Sequence, residues 1–263
     1  MLKFFPTRDH EVSCWINPRD FGSHEKSLVF IHGSGGNSSA WSRQYTKLHK
    51  SFNIAAVNLP GHGKSGGSGR QDIHDYVNPF QDILHSLGLT KPVLIGHSLG
   101  AAIALSFAAR HPADISAVVS VGGGLTMPVN PAILEGLLQQ PEEIRELIAK
   151  FSLAKENRPA LLAPLCASLD EANTQVLLND LKACNQMNLA DEMSKIRHPA
   201  LIICGTEDKM TPPEASRQIA AGIPGSTLLL IEGAGHMVMM EKPSALNKAI
   251  RDFAVSLPQE IHA

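Results

Sequence analysis

The sequence predicts an α/β fold in which helices cover both faces of a doubly wound, mostly parallel sheet, with one all-helical segment inserted. Six short apolar runs, each ending at glycine, alternate with helix-like segments over most of the chain. Within each run the hydrophobic residues are nearly continuous rather than alternating, which is typical of strands buried on both faces. The six predicted strands lie within residues 27–33, 52–61, 92–96, 115–123, 200–205 and 226–233.

The predicted helices lie between these runs, so strand and helix alternate as a parallel sheet requires. Segment 99–111 is dense in alanine and leucine and has no extended polar face, which predicts a buried helix. The other three helices are predicted at about residues 71–88, 213–222 and 243–256. Residues 1–16 predict an additional hairpin at one edge of the sheet.

The segment 126–190 breaks the alternation because it contains no convincing strand. Prolines divide it into short helices, and Asp170 is predicted to cap one of them. A second helix is predicted from apolar residues at helical spacing, namely Ile144, Leu147, Ile148 and Phe151.

Composition restricts the classes of partner. The chain has 263 residues, of which 43% are hydrophobic and 18% are charged. Its formal net charge is −2, so its charge does not favour nucleic acid as a binding partner. The four cysteines form no CxxC pair, which argues against a zinc site. The N-terminus becomes charged too early for a signal peptide, and no 18 uncharged apolar residues run together. We therefore expect a cytoplasmic protein without a membrane span or a bound metal; the sequence does not indicate an oligomeric state.

The stretch Gly96-His97-Ser98-Leu99-Gly100 joins a predicted buried strand to a predicted buried helix. A G-x-S-x-G turn in this position is so sharp that glycine is needed on both flanks, and the serine protrudes at the helix N-terminus. Developing negative charge is stabilised there by the helix dipole. We interpret Ser98 as a nucleophile rather than as part of a structural turn.

A serine hydroxyl needs a base to accept its proton, and the base needs a carboxylate to orient it. Among twelve histidines, His236 stands in a glycine-containing loop after the last predicted strand, at the same sheet edge as Ser98. Asp208 follows the preceding strand, with Glu207 beside it as the alternative acid. We predict His236 as the base and Asp208 as the acid.

An oxyanion needs two backbone N–H donors. The first is expected at Leu99, directly after the nucleophile, and the second at Ser34, in the glycine-rich loop after strand 27–33. That loop lacks the G-x-x-x-x-G-K-[ST] pattern of a nucleotide site, so no cofactor is expected.

Together these motifs resemble those of the α/β-hydrolases over nearly the whole chain. The resemblance implies an α/β-hydrolase core at residues 1–125 and 191–263, with residues 126–190 inserted as a helical lid. Asn58 stands where this family usually carries aspartate, at a position that is generally structural. The matching motifs are His32-Gly33, NLPGHGKS (58–65), Gly96 to Gly100, GTEDKMTPP (205–213) and GAGHM (233–237).

Residue types narrow the subfamilies that the chain resembles. Haloalkane dehalogenases and epoxide hydrolases need aspartate where Ser98 stands, and proline iminopeptidases typically have tryptophan where Leu99 stands. Cofactor-free perhydrolases and C–C bond hydrolases keep the same triad and stay open as alternatives.

The expected function is hydrolysis of small-molecule carboxylic esters with small to medium uncharged acyl groups, through an acyl-enzyme. The alternatives are a C–C bond or enol-lactone hydrolase with the same residues, and a non-catalytic ligand-binding receptor of this fold. We expect an apolar pocket without a cationic clamp, because the basic residues of segment 126–190 are predicted mostly to face solvent. They are Arg145, Lys150, Lys155, Arg158 and Lys182.

Overall fold

The centre of the molecule is an eight-stranded sheet in the computed structural model, which describes residues 1–258. Its strand order is β1-β2-β4-β3-β5-β6-β7-β8. Strands β3 to β8 run parallel, whereas β1 and β2 form the predicted antiparallel hairpin at one edge. The strands are β1 Leu2–Pro6, β2 Glu11–Ile16, β3 Ser27–Ile31, β4 Asn53–Val57, β5 Val93–His97, β6 Ala117–Val121, β7 Ala200–Gly205 and β8 Thr227–Ile231.

All six predicted parallel strands are present, and β3 to β7 are buried along their whole length, as their continuous apolar runs predict. Strand β8, the last strand of the sheet, differs because one of its two faces is left partly uncovered. Its residues alternate in exposure, and Leu229 is exposed. The prediction of burial on both faces was wrong for β8, since burial of a strand's side chains depends on which elements cover each face of the sheet.

The helices pack on both faces of the sheet. On one face α2 and α3 share a hydrophobic core with β3, β5 and β6, and on the other α1 and α11 do so. Within residues 1–258 the α-helices are α1 Ser42–Leu48, α2 Ile73–Leu87, α3 Leu99–Arg110, α4 Pro131–Gln139, α5 Pro141–Ser152, α6 Arg158–Asp170, α7 Thr174–Gln186, α8 Ala190–Met193, α9 Pro213–Gly222, α10 Val238–Glu241 and α11 Pro243–Ser256. None of those described is long and apolar enough to cross a membrane.

Four helices, α4 to α7, occupy most of residues 126–190, which we call the lid segment. Its boundaries as a separate lid domain, and those of the core, stay predictions. Asp170 was wrongly predicted as a helix cap: it is the last residue of α6, and Asn173 caps α7 by accepting N–H bonds from Gln175 and Val176. Asparagine and aspartate cap equally well, so the local sequence did not distinguish them.

The apolar stripe predicted for α5 is only partly buried. Ile148 packs in the core of the lid segment, but Leu147 and Phe151 are 38% and 48% exposed. Arg145, expected to face solvent, is 8% exposed and donates hydrogen bonds to the Ala172 carbonyl and the Thr174 hydroxyl. Which sides of α5 are covered is therefore decided by the segments of the same chain that pack against it, and not by the periodicity of α5.

Candidate active site

Ser98 lies on a sharp turn between β5 and α3, with φ +53° and ψ −117°, a conformation that L-residues rarely adopt. Its N–H donates to the Val121 carbonyl at 3.0 Å. A Cβ on Gly96 would lie 2.0 Å from the Gly100 carbonyl oxygen, and one on Gly100 would lie 2.3 Å from the Ile31 carbonyl oxygen. Both flanking glycines are therefore required by the close approach of α3 to the sheet, as the motif predicts.

His236 and Asp208 meet at the carboxyl ends of the strands. The His236 Nδ1 atom lies 2.8 Å from Asp208 Oδ2, and both side chains are buried. Asp208 Oδ1 also accepts N–H bonds from Met210 and Thr211, each at 2.9 Å. Glu207, the alternative acid, is exposed. The geometry gives Asp208 the position of an orienting carboxylate, with the proton on Nδ1 and the Nε2 atom left to accept one.

The environment of Asp208 favours its charged form. Burial by itself would raise the pKa of this carboxyl, but the charge and hydrogen bond of His236 and the bonds from Thr211 outweigh it. The pKa of Asp208 is therefore lowered, so the group is ionised at neutral pH and can stabilise a protonated His236.

Thr211 was not identified from the sequence. Its hydroxyl oxygen lies 2.8 Å from the Gly122 carbonyl oxygen and 3.0 Å from Asp208 Oδ2. Gly122 has φ +58°, and a Cβ there would approach His236 Nδ1 to 3.2 Å. Threonine and glycine thus limit the positions open to the His236–Asp208 pair. The available signal in the sequence was the run of three glycines, 122–124, directly after β6.

His97 supports His236 from the side of the nucleophile turn. Its Nε2 atom donates to the His236 carbonyl at 3.0 Å, and the two ring centroids are 4.6 Å apart. Burial, together with the charge of His236, lowers the pKa of His97 to about 3. His97 is therefore neutral at physiological pH and does not add a second positive charge beside His236.

The lid segment holds the loop that carries His236. The N–H groups of His236 and Met237 both donate to the Ser152 carbonyl, at 2.8 and 3.2 Å. The Glu241 carboxylate accepts N–H bonds from Gly235 and Ala154, each at 2.9 Å. The end of α5 and the His236 loop thus form one hydrogen-bonded unit.

The two predicted oxyanion donors are near Ser98: Leu99 follows it directly, and a Cβ on Gly33, the residue before Ser34, would lie 3.2 Å from the Ser98 Cβ. Among the described residues, neither the Ser34 N–H nor the Leu99 N–H has a hydrogen-bond acceptor in the protein. The peptide unit of the Ser34 N–H is fixed through the Gly33 carbonyl, which lies 3.0 Å from the Gly36 nitrogen and 2.8 Å from His32 Nδ1. Two oriented and unused N–H donors are what an oxyanion site needs.

Ser34, Ser98 and His236 line one pocket of about 340 Å³. Its wall is largely apolar. The aliphatic side chains from the lid segment that line it are Met127, Val129, Ile148, Leu165, Leu169, Leu177 and Leu181.

The pocket has a cation that the sequence analysis missed. None of the five basic residues of the lid segment lines it, in agreement with expectation, but Arg43 of α1 does. The predicted absence of a cation from the pocket was therefore wrong. Helix α1 was not predicted, since a seven-residue helix gives too short a hydrophobic pattern.

Metal ligands are not clustered in the described part of the chain. Within residues 1–258 no group of three or more histidine, cysteine, aspartate or glutamate side chains could hold an ion. All four cysteines are free thiols, and Cys184 lies in the pocket wall. Burial raises the pKa of Cys184 to about 12, so this thiol is a poor nucleophile.

The parallel sheet, the serine turn after β5 and the histidine loop after β8 define an α/β-hydrolase fold. The chain matches the model of the alpha/beta hydrolase family over residues 28–249 and therefore belongs to this family. The predicted resemblance and fold are confirmed, as is the prediction that the protein is an enzyme of the hydrolase class.

Individual relatives are distant but cover nearly the whole chain. A 2-hydroxy-6-oxononadienedioate/2-hydroxy-6-oxononatrienedioate hydrolase of Pseudomonas putida is 25% identical over 277 residues, 95% of either chain. A solved thermophilic esterase is 31% identical with a TM-score of 0.83, over 96% of this chain and 97% of the esterase. The enol-lactonase of Burkholderia xenovorans LB400 has a TM-score of 0.89 at 21% identity, over 97% of this chain and all of the lactonase.

Proposed function

We propose that the protein hydrolyses carboxylic esters through an acyl-enzyme on Ser98. The Ser98 Oγ attacks the acyl carbon while its proton passes to His236 Nε2, and the N–H groups of Ser34 and Leu99 hold the oxyanion. His236 then protonates the leaving alcohol. A water molecule, deprotonated by His236, attacks the acyl carbon and releases the acid and free Ser98. Asp208 fixes the imidazole tautomer throughout.

The observation that carries this proposal is the buried His236–Asp208 hydrogen bond of 2.8 Å beside a serine in a strained turn. Strain at Ser98 persists only where the surrounding structure imposes it, and such positions cluster at functional sites. The similarity to a solved thermophilic esterase supports the same reaction class.

Pocket size and lining favour small to medium acyl groups. At about 340 Å³ the pocket is at the small end of ordinary ligand sites. Each methylene that reaches its apolar wall adds up to about 0.8 kcal/mol of binding. We expect kcat/KM to rise from acetyl to butyryl or hexanoyl p-nitrophenyl esters, and to fall once the chain outgrows the pocket.

A second candidate is hydrolysis of an enol-lactone or a C–C bond in a carboxylate-bearing substrate. Arg43 favours it, because a guanidinium at the border of an apolar pocket suits a carboxylate. Arg43 is exposed, and among the described residues it forms no ion pair with a carboxylate. Two proteins to which the chain is similar, a dioate hydrolase and an enol-lactonase, act on substrates of the kind that this alternative requires.

The reaction class is tested by replacing the proposed nucleophile and acid. A fluorophosphonate probe should label the wild type at Ser98 and fail to label Ser98→Ala. Asp208→Asn should lower kcat on the order of 10⁴-fold, whereas the matched control Glu207→Gln should keep wild-type kcat because Glu207 is exposed. Labelling of Ser98→Ala, or equal loss in the two acid variants, would contradict the assignment.

The substrate class is tested through Arg43. We compare neutral esters with ω-carboxylate esters of equal length, and with enol-lactones and vinylogous diketones. If carboxylate-bearing compounds are preferred, Arg43→Gln should remove that preference and leave the neutral esters unchanged. If the wild type prefers neutral esters, the result supports the esterase. If Arg43→Gln has the same substrate preference as the wild type, Arg43 has no role in substrate selection.

A further inference from the structure

A fully buried carboxylate, Asp180, connects the lid segment to the core beside the proposed oxyanion site. Asp180 lies on α7 and is 0% exposed. Its Oδ2 atom accepts from the Gly35 N–H and from His62 Nε2, both at 2.8 Å, and its Oδ1 atom accepts from the Tyr76 hydroxyl at 2.5 Å. The three donors come from the loop after β3, the loop after β4 and the first turn of α2. One side chain therefore joins three separate parts of the core to α7.

Packing alone does not account for this residue. A buried carboxylate is costly unless charged and hydrogen-bonding partners compensate it, and an apolar side chain would fill the same space without that cost. Leu177 and Leu181 provide apolar contacts of α7. Leu177 lies one helical turn before Asp180, and Leu181 follows Asp180 directly. What Asp180 adds is a fixed geometry for the three groups that donate to it.

One of these groups adjoins the proposed oxyanion donor. Gly35 follows Ser34 directly, and its φ of +63° bends the chain so that its N–H points at Asp180. The next residue, Gly36, donates to the Gly33 carbonyl, which belongs to the peptide unit of the Ser34 N–H. Two successive peptide units around Ser34 are thus fixed, the first by Gly36 and His32 and the second by Asp180.

We propose that Asp180 is a positioning residue that holds the loop after β3, so that the Ser34 N–H is aimed at the oxyanion of the transition state. This inference rests on the proposed function, since it concerns the same site. It assigns to α7 a part in catalysis besides covering the pocket. The contribution belongs to the transition state, because an oxyanion is present only there.

His62 removes an electrostatic difficulty in this arrangement. A lone carboxylate next to the oxyanion site would repel the developing negative charge, whereas a carboxylate paired with a protonated histidine would not. Burial opposes protonation of His62, but Asp180 outweighs it and raises the pKa of His62. The other titratable groups near this pair are Tyr76, the Cys184 thiol, and His32, whose ring lies 4.7 Å from that of His62. Burial and the charge of His62 hold the pKa of His32 well below its usual value, so His32 stays neutral.

The test compares Asp180→Asn with a matched control, Glu192→Gln. Glu192 is another buried carboxylate, paired with Arg110 at 2.9 Å away from the pocket. For each variant, exhaustive fluorophosphonate labelling counts the competent sites, and kcat is expressed per labelled site. A trifluoromethyl ketone is the second probe. Ser98 Oγ attacks its carbonyl carbon, and the resulting adduct carries an oxyanion, so the affinity of this inhibitor reports on the oxyanion site directly.

For Asp180→Asn we expect kcat per labelled site to fall about 10- to 100-fold with KM changed less than about 3-fold. The inhibition constant of the trifluoromethyl ketone should rise by the same factor as kcat/KM falls. Glu192→Gln should lose labelled sites or stability only. Wild-type kcat per site and wild-type inhibitor affinity in Asp180→Asn would overturn the proposal.

If Asp180→Asn does not fold, His62→Gln decides. Its glutamine still donates a hydrogen bond but leaves Asp180 without a positive partner, so kcat and inhibitor affinity should fall together, and unchanged values would overturn the proposal. The proposed function fails separately: it fails if the wild type itself is not labelled at Ser98 and does not hydrolyse esters.

Discussion

At the scale of single residues, the site depends on buried ionisable groups whose pKa values are shifted in opposite directions. The charge of His236 and its hydrogen bonds lower the pKa of Asp208 against the effect of burial. Burial lowers the pKa of His97 to about 3. Asp180 raises the pKa of His62 although burial opposes this. Each shift keeps in place the charge state that the proposed mechanism needs.

The shift of His62 predicts a pH-dependent stability. Its ordinary pKa is 6.5 and the folded value is raised. The stabilisation is therefore fully present below about pH 6.5 and is lost as the pH rises through the folded pKa. The free energy of unfolding, measured by urea denaturation, should therefore fall more steeply for the wild type than for His62→Gln as the pH rises above about 6.5.

His85, which is exposed, provides the control for this measurement. His85→Gln should show the same pH dependence as the wild type. If His62→Gln also did so, the His62–Asp180 pair would not contribute to stability through its charge.

At the scale of elements, the contact of β5 with α3 determines what the serine turn tolerates. A Cβ added to Gly96 would overlap the Gly100 carbonyl at 2.0 Å, and backbone atoms cannot rotate away as a side chain would. Overpacking ordinarily costs about 1–3 kcal/mol, and we expect Gly96→Ala to cost at least the upper value. Ser98 should also lose reactivity. Urea denaturation and the rate of fluorophosphonate labelling measure the two effects.

Gly66→Ala is the matched control for this substitution. Gly66 is exposed, and its added Cβ would come no nearer than 3.3 Å to the His10 side chain. Its free energy of unfolding should change by less than about 1 kcal/mol. Equal stability of Gly96→Ala and Gly66→Ala would show that the turn can relax and that the strain at Ser98 is not imposed by packing.

At the scale of the whole molecule, two sets of polar contacts join the lid segment to the core. Asp180 binds the loop after β3. On the lid side of the second set, the Ser152 carbonyl accepts from the His236 and Met237 N–H groups, and the Ala154 N–H donates to Glu241 of α10. The first set adjoins the proposed oxyanion loop and the second adjoins the proposed base. We therefore expect the lid segment to unfold together with the core.

Glu241→Ala tests this coupling. It leaves the Gly235 and Ala154 N–H groups and the Asn157 amide without their shared acceptor. We expect a loss of about 2–4 kcal/mol in unfolding free energy, because hydrogen bonds to a charged group contribute about 1.5–3 kcal/mol each and some donors regain water. We also expect a lower kcat per labelled site, because the His236 loop is no longer held.

The control for this variant is Glu214→Ala. Glu214 lies on α9, its side chain is 69% exposed, and within residues 1–258 its one ion pair is with the exposed Arg217. It should change stability by less than about 0.5 kcal/mol and leave kcat unchanged. A Glu241→Ala protein that unfolds in two steps, with kcat per site unchanged, would show that the lid segment is not coupled to the site.

The sequence by itself determined the strands, the longer helices and the candidate nucleophile. Buried parallel strands are continuous apolar runs, and the turn around Ser98 is complete within five adjacent residues, so both signals are local. His236 and Asp208 were identified because each follows a predicted strand. All strands of a parallel sheet bring their carboxyl ends to the same edge, so position in the alternation predicts position in space.

Only the tertiary structure decided which polar groups surround that site. Asp180 meets His62 across 118 residues and Gly35 across 145, and no spacing in the sequence relates them. Arg43 borders the pocket from a helix too short to predict, and Thr211 is one of two threonines in its loop. Strand β8 is partly exposed because the completed fold leaves one of its two faces partly uncovered. A strand or a turn depends on neighbours in sequence, whereas a buried polar contact depends on which segments the completed fold brings within 3 Å.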